Sequence, residues 1–143
     1  MTRKEAKREL RNIKDMEKDI KSVELEIERL MTVATKMTTS FSPINISGSP
    51  ENKLEKALIQ VEEYRRRLSN LLLESVQTKV RCLDRVNQIE PKSLRKVLLL
   101  YYFQDNTLEK TAELIDKSYQ WTHELMNDAL DKYCEISDSL DTN

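Results

Sequence analysis

Glycine and proline are almost missing from this chain. Its 143 residues hold one glycine and three prolines, where average usage would give about 17. Sheets need frequent turns, and turns draw on these residues. A β-sandwich or barrel is therefore excluded. With Gly48 as the single glycine, a Gly-rich phosphate loop or dinucleotide fingerprint is excluded too. Histidine and cysteine are as scarce, with His123, Cys82 and Cys134 alone. They form no CxxC pair and cannot make a four-ligand zinc site. No metal and no cofactor is expected, and the thiols read as buried or idle in a reducing compartment. No apolar run approaches the roughly 20 residues that cross a bilayer. The opening, Met1 to Glu5, is charged rather than apolar, unlike a secretory signal. The expectation is a cytoplasmic chain without membrane contact.

An excess of one charge is also lacking. The formal net charge is −1, which gives no global push toward nucleic acid. The distribution is less even. Residues 1–40 carry 10 basic and 8 acidic groups, residues 41–90 carry 8 and 7, and residues 91–143 carry 6 and 10. Glu135, Asp138 and Asp141 make the tail acidic. Any DNA contact must come from a local patch. Nothing resembles a Ser/His/Asp set, and the carboxylates recur at helical spacing beside Lys and Arg, as surface ion pairs do. An enzyme is not expected.

What is abundant is amphipathic helix. Charged residues make up 34 % and hydrophobic ones 38 % of the chain, a mixture typical of long helices. Over residues 3–37 the apolar positions step by three and four without a slip: Ile13, Met16, Ile20, Val23, Ile27, Leu30, Ala34, Met37. That is a heptad seam of about three and a half repeats. Such a rod must pack on another helix, in the same chain or in a second copy. Ile13, Met16, Ile20, Val23, Ile27 and Leu30 are thus the candidate oligomerisation residues of a homo-oligomer, and an intrachain antiparallel hairpin fits them equally. Residues 38–50 hold the glycine and two of the prolines and read as a loop with apolar anchors at Phe41, Ile44 and Ile46. Ser49, Pro50 and Glu51 form a helix start, with an N-cap hydroxyl, proline at the first position and an acid near the positive dipole end.

A second long helix is expected over about 50–88, with a stripe of Leu54, Ala57, Leu58, Val61, Tyr64, Leu68, Leu71, Leu72, Val76, Val80, Leu83 and Val86. Arg65, Arg66 and Arg67 lie on its outer face, as solvated surface or as a phosphate or partner contact. Pro91 marks the next boundary. Val97–Phe103 is apolar throughout and reads as a helix buried nearly all round. Asp105 and Asn106 make a turn, and Thr107 caps a helix over Leu108–Ile115. Asp116 and Lys117 make a second turn, and Ser118 caps a helix from Tyr119 to about Tyr133. The fold class is all-α, a long hairpin or coiled coil over 1–90 followed by a three-helix module over 91–133. The acidic tail over 134–143 is expected to fray.

Helix, tight turn, helix over 107–133 is the spacing of a helix-turn-helix. Ala112 sits where the two helices cross closely, and Leu108, Ile115, Leu125 and Leu130 face inward. Tyr119, Gln120, Trp121, His123 and Glu124 are left near the exposed N-terminal end of the second helix, the end that enters the major groove of DNA. Gln pairs bidentately with adenine and Glu accepts from cytosine. Ser118 and the free N–H groups at the helix start suit a phosphate. Each has a plainer reading, as partial packing for Trp121 and as solvated surface for Gln120, His123 and Glu124.

The segment from Thr107 to Leu130 resembles region 4 of bacterial sigma factors, including the Thr-Leu-Glu opening, the Ser118 start of the recognition helix and the closing Ala-Leu. The whole chain resembles the ArpU/RinA-type phage transcriptional regulators, with a charged first helix, a Ser/Pro/Gly linker, a second helix, and an arginine before an apolar leucine run that ends in Tyr-Tyr (Arg95 to Tyr102). That resemblance implies a phage or prophage activator in a bacterial host cell, binding promoter DNA as a homo-oligomer. It places Tyr119, Gln120, His123 and Glu124 on base-contacting positions and Trp121 beside them. Two departures stand out. No arginine lies between 118 and 133, and Thr122 stands where Ile or Val is usual. Phosphate contacts therefore fall to Lys117, Lys110, Lys92, Arg95 and Lys96. The alternative is a helical adaptor that binds host RNA polymerase or another phage protein without reading DNA.

Overall fold

The computed structural model describes residues 1–39 and 50–142, and every element among them is helical. They are α1 (Arg3–Thr39), α2 (Pro50–Val86), α3 (Lys92–Leu98), a π-helical turn (Leu99–Phe103), α4 (Leu108–Leu114) and α5 (Tyr119–Asp141). The expected anchors Phe41, Ile44 and Ile46 and the Ser49 cap lie outside the described residues. Pro50 is the first residue of α2, as its fixed φ favours.

α1 and α2 are each 37 residues long and form an antiparallel hairpin. In one part, Glu9 of α1 accepts from Arg85 of α2 at 2.8 Å. Further along, Arg29 of α1 lies near Tyr64 of α2. The α1 stripe is covered within the single chain. Ile13, Met16, Ile20, Val23 and Leu30 are buried and Ile27 is half-buried. Of the two packings expected for this seam, the intrachain hairpin is the one seen, with a helix of equal length folded back on it.

The α2 stripe also differs from the expected one. The face turned inward runs Leu54, Ala57, Val61, Tyr64, Leu68, Leu71, Ser75, Thr78, Cys82 and Val86, all buried or half-buried. Leu58, Leu72, Val76 and Val80 are instead about half exposed. The inward face keeps a strict three-four step, so it passes through two small polar residues while the apolar ones drift off it.

The chain divides into two compact units, Met1–Met16 with Ser75–Asn143, and Glu17–Glu74. The division is not at residue 90. Ala6, Leu10 and Ile13 of α1 and Cys82 and Val86 of α2 share one core with Leu94, Val97, Leu98, Tyr102, Met126, Leu130 and Tyr133. Both ends of the hairpin therefore belong with the helix-turn-helix.

The tail is corrected as well. α5 continues to Asp141 rather than ending near Tyr133. Cys134 and Ser137 are buried, the Met1 amine lies 2.7 Å from Asp138, and Asp141 lies 3.7 Å from Arg85. Burial of one face and ion pairs on the other hold as helix what charge alone marks as a fraying end.

The apolar run 97–103 is helical and mostly buried, but its second half winds as a π-helix. The Gln104 N–H donates to Leu99 O at 3.0 Å, and Asn106 Nδ2 satisfies Leu100 O at 2.8 Å. Lys14 of α1 sits over the Tyr101 ring, 3.6 Å from its centroid. Tyr101 in turn meets Tyr102 edge to face. Burial beside that ring pushes the Tyr102 phenol up to about 12.

Candidate nucleic-acid interface

The turn between α4 and α5 sets the angle of the second helix. The Lys117 N–H donates to Ala112 O at 3.0 Å, and the Asp116 N–H to Glu113 O at 3.2 Å. This is the Schellman pattern, which puts the residue just past the helix end in the left-handed region. Asp116 occupies that position with φ 57°. Aspartate tolerates it better than most residues other than glycine. Ala112 is buried, and its small side chain permits the close crossing.

Both N-caps form as the sequence predicts. Thr107 Oγ1 accepts from the Lys110 N–H at 3.1 Å, and Ser118 Oγ accepts from the Trp121 N–H at 3.0 Å. Ser118 thus anchors the start of α5. Thr122 is fully buried, and its hydroxyl donates to Ser118 O at 2.8 Å. With the hydroxyl satisfied inside the helix, threonine fills a site suited to Val or Ile.

The residues expected to read bases all face solvent. Ser118, Tyr119, Gln120, His123 and Glu124 are exposed, and Trp121 is 52 % exposed. A buried Thr122 between exposed Trp121 and His123 fixes which side of the helix is presented. Met126, Ala129 and Leu130 continue the inward face below it.

The cations nominated from sequence are scattered. Lys110 lies 3.5 Å from Glu113, and Lys117 lies 6.0 Å from the Trp121 ring centroid. Lys92, Arg95 and Lys96 gather around a separate pocket with Asn87 and Leu99. Arg95 is drawn partly inward, its Nη1 donating to Asn87 O at 3.5 Å. Arg65, Arg66 and Arg67 are exposed in the other compact unit.

The structure brings different cations to α5. A groove of about 240 Å³ is lined by Tyr119, His123, Met126 and Asn127 of α5, by Lys7 and Arg11 of α1, and by Tyr101, Tyr102 and Leu108. Lys4, Lys7, Arg8 and Arg11 share an adjoining face with Asp15. Sequence reasoning missed these four. The available signal was the basic run at the start of α1.

Acidic groups collect elsewhere. A larger cleft of about 700 Å³ is lined by Glu5, Glu9, Asp15, Asp138 and Asp141, with Arg8 and Asn12. Among the described residues no group of three His, Cys, Asp or Glu side chains is placed to hold a metal ion. No described helix is long and apolar enough to cross a membrane. No family model, curated protein or solved structure matches the chain.

Proposed function

We propose that this chain is a sequence-specific DNA-binding transcription regulator of the sigma region 4-like, phage type. The observation that carries the reading is the start of α5. A capped, tightly turned second helix presents Tyr119, Gln120, Trp121, His123 and Glu124 to solvent, while Thr122 and Met126 lock its inner face. An exposed helix N-terminus of this kind fits the major groove. Gln120 and Glu124 lie one turn apart on it and carry adenine- and cytosine-selective chemistry. Two copies on adjacent half-sites belong to the same reading, but the α1 stripe is filled within the chain, so they pair through other surfaces.

The test is a paired substitution, Gln120→Ala with Glu124→Ala, measured by competition among single-base variants of a bound site. The expected result is a flattened preference, about 1–3 kcal/mol at the affected base pairs, with non-specific binding retained. An unchanged preference would remove these two residues from the reading face.

The second reading is an adaptor that touches RNA polymerase or another phage protein. The acidic cleft of Glu5, Glu9, Asp15, Asp138 and Asp141 favours it, because such a surface repels DNA and suits a basic partner. Binding that is insensitive to DNA but competed by RNA polymerase would select it.

A further inference from the structure

We propose that Lys4, Lys7, Arg8 and Arg11 of α1 are the phosphate-contacting residues that the recognition helix itself lacks. The inference rests on the DNA-binding reading above and assigns its backbone contacts.

Affinity for duplex DNA comes mainly from Lys and Arg at phosphates. α5 carries no arginine, and its one lysine, Lys132, lies 3.4 Å from Glu135. The cations must come from another element. α1 meets three requirements for it.

The first is position. Lys7 and Arg11 line the same groove as Tyr119, His123 and Asn127, and no carboxylate lines that groove. Lys4 and Arg8 extend the same surface beside Asp15, and Arg8 also borders the acidic cleft of Glu5, Glu9, Asp138 and Asp141. Lys4 to Arg11 spans about 10 Å of helix axis, long enough to follow a phosphate strand beside the helix that reads bases.

The second is availability. Lys4, Lys7, Arg8 and Arg11 form no ion pair among the described residues. Arg3, Lys14 and Arg85 are engaged with Asp131, Asp105 and Glu9. Of the four, Lys4, Arg8 and Arg11 are exposed and Lys7 is half-buried.

The third is local cost. Cations are disfavoured at a helix N-terminus, where the dipole is positive. Lys4, Lys7 and Arg8 nevertheless fall in the first two turns of α1. The dipole penalty falls on Lys4 in the first turn, whereas Arg8, one turn further on, is offset in part by Glu5. The helix start is also fixed. Thr2 and Glu5 form a capping box, with the Thr2 N–H donating to Glu5 at 2.6 Å and the Glu5 N–H donating to Thr2 Oγ1 at 3.2 Å. Arg3 grips Asp131 of α5 through two hydrogen bonds, at 2.9 and 2.7 Å. The cations are therefore presented from a helix clamped to the recognition helix.

The experiment measures binding of the full chain to a labelled random-sequence duplex of about 30 base pairs. Salt is varied between about 0.05 and 0.2 M. Each lost phosphate contact lowers the slope of log affinity against log salt by about 0.9. Lys7→Gln with Arg11→Gln is expected to lower it by about 1.8, which is about 30-fold weaker binding near 0.15 M salt. The charge-preserving Lys7→Arg with Arg11→Lys is expected to keep the wild-type slope. So is Lys18→Gln with Lys21→Gln, further along α1. Thermal melts of all variants identify any that fail to fold. A wild-type slope in a folded Lys7→Gln, Arg11→Gln protein overturns the inference while leaving the regulator reading in place. Absence of wild-type binding at the lowest salt overturns both.

Discussion

At the residue scale, the pattern of ion pairs separates side chains that hold the molecule from those free to act. The Asp131 carboxyl is held below its ordinary range, first by the hydrogen bonds from Arg3 and then by its charge. A carboxyl depressed in the folded state contributes stability above its unfolded titration near pH 4. That contribution is lost as pH falls through the folded value. The melting midpoint of the wild type should therefore fall more steeply below about pH 4 than that of Arg3→Ala, and the two curves should converge in acid. Parallel curves would show that the pair contributes nothing to the clamp between α1 and α5. Glu9, which accepts from Arg85 at 2.8 Å, sits among buried neighbours. Desolvation raises the Cys82 thiol beside it, and burial does the same to Cys134. Both thiols are free and buried, as one of the two readings of them expected.

At the element scale, most of the secondary structure was legible because it depends on local chemistry. Thr107 and Ser118 announced their helices as caps, and Asp105 and Asp116 marked turns by tolerating positive φ, 54° and 57°. The unbroken three-four step of α1 gave its buried face. The α2 face was not legible in the same way. Its inward register crosses Ser75 and Thr78, so hydrophobicity alone pointed to Val76 and Val80 on a neighbouring face. The π-helical turn at Leu99–Phe103 has no local signature in an all-apolar run. The last two turns of α5 were not legible either, because Asp138 and Asp141 gain partners from Met1 and Arg85, far away in sequence. A chain ended at Tyr133 tests that point. Loss of buried Cys134 and Ser137 and of both ion pairs should cost about 2–4 kcal/mol in urea unfolding. A fraying tail would cost less than about 0.5 kcal/mol.

At the scale of the whole molecule, the candidate interface is legible only in part, and for one reason. The exposed face of α5 follows from helix periodicity, so Gln120, His123 and Glu124 could be placed from sequence. Its cationic neighbours follow from tertiary packing. Lys7 and Arg11 lie more than a hundred residues before Tyr119 and reach it because Ala6, Leu10 and Ile13 share a core with Met126, Leu130 and Tyr133. Cations close in sequence, such as Arg95 and Lys96, point to another pocket. The first turns of the hairpin thus line one groove together with the exposed start of α5.

The measurement that bears most directly on this account is selection of bound sequences from random duplex DNA by the purified full chain, at low and at moderate salt. The account predicts an enriched motif whose recovery falls steeply as salt rises, and whose base preference is lost in Gln120→Ala with Glu124→Ala. Sequences recovered at low salt with no enrichment over the starting pool would contradict it.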